Sequence, residues 1–154
     1  MNANQNIEGR VDQLIGWYGD GANGASPTRS QWRRILDRPD NIPVTLVNFF
    51  KLRGQAEYGP NPSGTGESGT GQDAFDRYAK VSVPTLGKVG GKFLLVAPFE
   101  GTFVGEDEDW DLVAIGSYPN SASLLALFED SDYRAVFFHR TAACERQKVV
   151  VCSG

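Results

Sequence analysis

Residues 44–52, Val-Thr-Leu-Val-Asn-Phe-Phe-Lys-Leu, restrict the fold more than any other stretch of the chain. Their β-branched and aromatic content reads as a strand, and both alternating faces of that strand are largely apolar. A strand of this kind needs cover on both sides of its sheet. Segments 93–97, 110–118 and 148–152 share the character. Two helical patterns lie between the strands. The first runs from about residue 73 to 89, with Phe75, Tyr78, Ala79, Ser82, Leu86 and Val89 along one side and a kink expected near Pro84. The second is capped by Asn120 or Ser121 and continues to about Cys144, with a break near Asp130 and Ser131.

From Val44 onward the order is strand, helix, strand, strand, helix, strand, which is the split βαβ or ferredoxin-like arrangement of an α+β protein. Two helices cover only one face of such a sheet. The other apolar face is therefore expected to lie against a second copy of the chain or beneath the N-terminal residues, and a homodimer is the simpler solution. Residues 1–40 form a helical arm ahead of the α+β domain at 41–154. In the arm, Ile7, Val11, Leu14, Ile15 and Tyr18 make one apolar face. A turn-rich break at 19–27 follows, and Thr28 to Gln31 has the spacing of a capping box ahead of Trp32, Ile35 and Leu36. Pro39 and Pro43 end this short second helix.

Composition removes several functional classes. With 154 residues, a net charge of −4 and a pI near 5.0, the chain lacks the basic excess that neutralising nucleic-acid phosphates requires. No apolar run approaches the ~18 residues of a membrane span. The start Met1-Asn2-Ala3-Asn4-Gln5-Asn6 does not read as an export signal. Cys144 and Cys152 read as two free thiols, so the expectation is a cytoplasmic protein with neither nucleic acid nor membrane as partner. Residues 54–71 read as a long, mostly disordered connector or a lid.

Pro27-Thr28-Arg29-Ser30-Gln31-Trp32 and Pro43 to Phe49 are followed by Tyr78, Gly90-Gly91-Lys92, Trp110, Tyr118-Pro119-Asn120-Ser121, Ser131-Asp132-Tyr133 and Arg140. This series resembles the domain-of-unknown-function family thirteen-thirty, of the dimeric α/β-barrel superfamily, over roughly Pro27 to the C-terminus. The resemblance implies a ferredoxin-like subunit whose sheet pairs with that of a second subunit to close a barrel, with a cleft between sheet and helices in each. Related families include cofactor-free monooxygenases, lactone isomerases and haem-degrading enzymes, so the fold alone does not choose a chemistry.

The candidate site residues follow from their positions. Asn48 is a polar residue among Leu46, Phe50 and Leu52 on one strand face; it either satisfies a nearby backbone group or orients a ligand beside Phe50. Tyr133, Phe137, Arg140 and Cys144 form one stripe if the second helix is continuous. Arg140 either sends its head to solvent or a carboxylate, or anchors an anionic ligand group in bidentate fashion. Tyr78 faces the same cleft or is an ordinary core tyrosine.

His139 is the only histidine, so a single chain builds no two-histidine metal site, and no metal or cofactor is assigned. The resemblance to haem-degrading families, which place a histidine on the second helix and an asparagine on the first strand, implies haem ligation by His139 with Asn48 as a third possibility. His139 lies about 120° around the helix from Tyr133, which weakens that reading against a surface or dimer-contact histidine. Gly64-Thr65-Gly66-Glu67-Ser68-Gly69 matches G-x-G-x-x-G by letter but follows no strand directly, and chance in a glycine-rich loop explains it. Glu106 to Asp109, with Asp111, reads as a solvated acidic hairpin.

These residues point to a small-molecule-binding protein, with a cofactor-free isomerase or monooxygenase acting on a small carboxylated or carbonyl compound as its catalytic form. Arg140, Asn48, Phe50 and Phe137 would hold the ligand, and Tyr133 or Tyr78 would be the proton donor. The alternative is a non-catalytic dimerisation module in which the same residues are core.

Overall fold

A computed structural model of the chain describes residues 3–59 and 68–154. The elements run α1 (Ala3–Tyr18), α2 (Arg29–Leu36), β1 (Val44–Leu52), α3 (Gly71–Lys88), β2 (Lys92–Pro98), β3 (Leu112–Tyr118), α4 (Ser121–Glu129), α5 (Ser131–Ala143) and β4 (Cys144–Ser153). The four strands form one antiparallel sheet in the order β2-β3-β1-β4. From β1 onward this is the βαββαβ series expected of an α+β chain. No helix among the described residues is long and apolar enough to cross a membrane.

Helices α2 to α5 start where side chains supply acceptors. Thr28 and Gln31 close a capping box on α2, and Thr70 and Asp73 close another on α3. Pro84 sits inside α3, and the helix continues past it to Lys88. Asn120 caps α4, and Asp130 separates α4 from α5 because its extended backbone ends one helix while its carboxylate accepts from Asp132 N and Tyr133 N of the next.

Two expectations change. The second helix stops at Ala143, so Cys144 opens β4 in place of extending the Tyr133 stripe. β4 starts four residues earlier than its apolar run because Cys144, Arg146 and Gln147 pair with Leu52, Lys51 and Phe50 across a bulge. The arm does not lie under the open sheet face. Tyr18 packs edge-on against Phe128 and Phe137 at 5.3 and 4.8 Å, Arg10 pairs with Glu129 at 2.6 Å, and the Arg134 guanidinium covers the Trp17 ring at 4.2 Å. Val11, Leu14, Trp32 and Ile35 accordingly share one core with residues of α4, α5 and the sheet.

Strand alternation places Val44, Leu46, Asn48 and Phe50 on the helix side, with Leu112, Ala114, Gly116 and Tyr118 beside them on β3. The opposite face carries Val47 and Phe49 beside Ile115 and Val113, flanked by Val150 and Leu95, which are 39% and 48% exposed.

Candidate ligand site

A cavity of about 880 Å³ lies between the helix-facing side of the sheet and the helices. Its volume falls in the range of small-molecule sites. Tyr78, Tyr133, Phe137, Arg140, Asn48 and Phe50 all line it. Periodicity explains the convergence: Tyr133, Phe137 and Arg140 follow one face of α5, Tyr78 comes from the adjoining α3, and Asn48 and Phe50 alternate on β1.

Arg140 is 8% exposed and has no carboxylate partner among the described residues. Its Nε donates to Gln147 Oε1 at 2.8 Å and its Nη1 to the Tyr78 hydroxyl at 3.1 Å. The guanidinium carbon lies 4.8 Å from the centre of the Phe50 ring and 5.5 Å from that of Phe137. A guanidinium carries five N–H groups and stays charged at every accessible pH, so three donors of a buried cation have no described protein acceptor. Among the described residues the sealed side-chain polar atoms without a partner are Trp32 Nε1 and Arg53 Nε, so Arg140 Nη2, with its two N–H groups, is not sealed.

The Tyr78 and Tyr133 hydroxyls are 2.7 Å apart. Tyr133 is 1% exposed; burial, reinforced by Tyr78, pushes its ionisation well above that of a free phenol. It is a neutral phenol at physiological pH. Burial likewise raises Tyr118, and it pushes the Cys144 thiol up to about 11. A cysteine with such a pKa is not a thiolate nucleophile at neutral pH.

Asn48 satisfies nearby backbone groups, the first of its two expected roles. Its Nδ2 donates to Ala114 O at 2.9 Å and, less favourably, to Leu46 O at 3.4 Å. Two carbonyl neighbours fix the amide orientation, so both N–H groups are engaged and Oδ1 is left for a ligand. Asn48 can therefore receive a ligand hydroxyl or N–H, while its capacity to polarise a ligand carbonyl is already used.

His139 is 7% exposed, which corrects the surface reading. Its Nδ1 lies 2.8 Å from the Tyr58 hydroxyl, which also receives Arg77 Nη1 at 2.8 Å. His139 does not line the cavity that Asn48 lines, so the two do not form a shared haem pocket. Cys144 and Cys152 lie at opposite ends of β4, eight residues apart at ~3.3 Å each, too far to share a metal ion. Of the Gly64–Gly69 sequence, only Ser68 and Gly69 fall within the described residues; Ser68 O accepts from Arg77 Nη2 at 2.6 Å. The acidic segment is engaged by cations: Lys51 reaches Asp109 at 3.2 Å and Asp111 at 3.4 Å, and Lys148 reaches Glu108 at 3.5 Å.

The arm was missing from the expected site. Gly21, Gly24, Ser26 and Pro27 from its turn, with Trp32 and Ile35 of α2, form part of the cavity wall. The turn-rich composition of 19–27 marked a break in the sequence without showing what it faces.

This is an α+β fold with a helix-covered sheet and an arginine at the base of an apolar cavity. Residues 68–153 match the model of the family described as a domain of unknown function, DUF1330, and the chain belongs to that family. It is similar to the crystal structure of methylated RPA0582 protein, with 30% identity and a TM-score of 0.75 over 84% of this chain and 93% of that one. It is also similar to the structure of RPA0582, a protein of unknown function from Rhodopseudomonas palustris, with 29% identity and a TM-score of 0.73 over 83% of this chain and 94% of that one. No curated protein matches the chain.

Proposed function

We propose that this chain binds a small, mostly apolar carboxylic acid in the cavity between sheet and helices, with the carboxylate on Arg140. The observation that carries this reading is the buried guanidinium with three N–H groups unaccepted by the described protein. Bidentate pairing with a carboxylate supplies the missing acceptors and the counter-charge together. Phe50 and Phe137 flank the anchor, and Asn48 Oδ1 receives a hydroxyl or N–H of the ligand.

The catalytic form of the proposal is a cofactor-free isomerase or monooxygenase. Both chemistries call on a positioned proton donor, and the neutral Tyr133 phenol, joined to Tyr78 at 2.7 Å, supplies one at the anchored end of the ligand. The ferredoxin-like unit would work as a homodimer, with Val47, Phe49, Val113, Ile115, Leu95 and Val150 of the open sheet face covered by a second copy in a dimeric barrel. Light scattering on a sizing column measures this directly; a monomer at micromolar concentration would count against the barrel.

The test of the site is a decanoate titration followed by calorimetry, comparing the protein with Arg140→Gln. Saturable binding weakened at least tenfold by the substitution, with an unchanged circular dichroism spectrum, is expected. Equal affinity in the two proteins would refute the role of Arg140.

A further inference from the structure

Two hydroxyls on the cavity wall have no protein partner. Tyr118 and Ser82 both line the cavity and are only 4% and 7% exposed, and neither hydroxyl makes a hydrogen bond among the described residues. Neither oxygen is sealed: the sealed partnerless atoms are Trp32 Nε1 and Arg53 Nε, so Tyr118 Oη and Ser82 Oγ keep accessible surface on the cavity they border. Ser82 differs in this from Thr85 on the same helix, whose hydroxyl donates back to Val81 O at 2.7 Å as helical hydroxyls commonly do. Leaving a buried donor unmade is costly, and a ligand in the cavity can make both bonds.

Gly116 sets the direction of Tyr118. The two residues share the helix-facing side of β3, and with no side chain at 116 the Tyr118 ring lies back along the strand. A Cβ on Gly116 would sit 3.7 Å from Tyr118 Cε2, 3.8 Å from the Tyr118 hydroxyl and 3.7 Å from Leu86 Cδ1. Leu86 of α3 therefore covers the spot that the Tyr118 hydroxyl reaches. Ser82 stands one turn before Leu86 and one turn after Tyr78, at ~5.4 Å per turn, on the same face of α3. Tyr78 in turn receives the Arg140 guanidinium at 3.1 Å. Along α3 the order is thus the anionic anchor, the Ser82 hydroxyl, and then Leu86 above the Tyr118 hydroxyl, all within about two turns, ~11 Å.

Burial, reinforced by Tyr78 and opposed by Arg140, raises the ionisation of Tyr118, so the phenol keeps its proton at physiological pH and donates it. A carbonyl oxygen has two acceptor lone pairs and no proton of its own, which matches two donors. A second carboxylate would bring a buried charge with no cation beside it, since Arg140 serves the first. Asn48 does not compete for the carbonyl, because its Nδ2 is engaged by Ala114 O.

We infer that the Tyr118 and Ser82 hydroxyls donate to a ketone oxygen on the ligand, so that the substrate class is a keto acid whose carbonyl is separated from its carboxylate by a short apolar spacer. The inference rests on the carboxylate reading of Arg140 and adds the group that selects among carboxylates.

The test compares decanoate with keto acids of the same length carrying the carbonyl at the fifth, sixth or seventh carbon, by calorimetry. At least one keto acid is expected to bind about tenfold more tightly than decanoate, a step of about 1.4 kcal/mol. In Tyr118→Phe and in Ser82→Ala that preference should fall at least threefold, with decanoate unchanged within about twofold. Because neither hydroxyl has a protein partner, both variants should keep the urea midpoint of the unmodified protein. The carbonyl stretch of the isotopically labelled keto acid should move to lower frequency on binding and move back in Tyr118→Phe, which a merely structural role would not produce. Equal binding of all the acids, a preference undiminished in both variants, or tighter binding of the matching hydroxy acid would overturn the inference. If decanoate binds and Arg140→Gln weakens it but no preference appears, Tyr118 and Ser82 alone are misassigned; if none of the acids binds, the carboxylate reading of Arg140 fails with them.

Discussion

Replacing Arg140 with Met separates a ligand anchor from a structural arginine. Burying a guanidinium costs several kcal/mol after relaxation. Against that stand two charge-assisted hydrogen bonds, to Gln147 and Tyr78, at about 1.5–3 kcal/mol each, and a ring contact with Phe50 worth about 1–2 kcal/mol. These terms nearly cancel, because no carboxylate among the described residues completes the pairing. Methionine keeps the apolar stem against Phe50 and Phe137 and removes the buried charge. It orphans little: the Tyr78 hydroxyl retains Tyr133, and Gln147 is half-buried and open to water.

The expected outcome for Arg140→Met is a folding stability between unchanged and about 2 kcal/mol higher, consistent with replacement of buried charges by apolar groups elsewhere. In a chain of this size that raises Tm by up to about 8 °C. Urea unfolding gives the free energy from the midpoint and slope, and decanoate calorimetry on the same protein shows loss of binding. The reasoning is refuted if the variant loses 2 kcal/mol or more. Such a loss would mean that Arg140 belongs to a self-sufficient buried network, as the non-catalytic reading requires; breaking one typically costs about 3–5 kcal/mol.

Tyr133→Phe removes one side of the 2.7 Å phenol pair while Tyr78 keeps Arg140, so denaturant unfolding should report a loss of about 1 kcal/mol and no change in slope. Asp130→Ala deletes the cap of α5 and the 3.0 Å contact with Lys88, and should cost about 1 kcal/mol at neutral pH by the same assay. Lys88, then the backbone N–H groups, hold the Asp130 carboxyl below its ordinary value, so its stabilisation is present above that value and is lost as pH falls through the folded one. Asp130→Asn should therefore flatten stability against pH below about pH 4, and an unaltered acid limb would contradict the assignment. At Gly71 a Cβ would press on Arg53 O and lie 2.7 Å from Arg53 N and 2.8 Å from Ala143 O, all backbone, so Gly71→Ala should lose about 3 kcal/mol or leave the protein insoluble.

What could be read from sequence, and what could not, divides by the distance over which residues act. β1 was legible because β-branched and aromatic residues predominate between Pro43 and Arg53. Tyr133, Phe137 and Arg140 were legible as a stripe because their spacing is local to α5. Cys144 escaped because nothing in the composition marks the end of that helix: Ala143 passes directly into β4, and long-range pairing with Leu52 imposes the change. The polar residues 145–147 concealed the start of β4 for the same reason. His139 was misplaced at the surface because its cover, Tyr58, comes from a glycine-rich segment 81 residues earlier.

The same division explains why half the candidate site was visible and half was not. The anionic anchor is built on regular elements, where periodicity reveals which side chains converge. The arm end of the cavity is built on a turn, and what that turn faces has no local sequence signature. Trp32 was legible as an apolar residue after a capping box, and its burial follows from that. That its N–H would be left without a partner depends on Tyr18 being committed to Phe128 O and on the ring packing of Phe128, both set by contacts across the whole chain. Local patterning thus identifies which side chains of α3, α5 and β1 converge, while the tertiary packing of the arm determines how it joins the cavity wall.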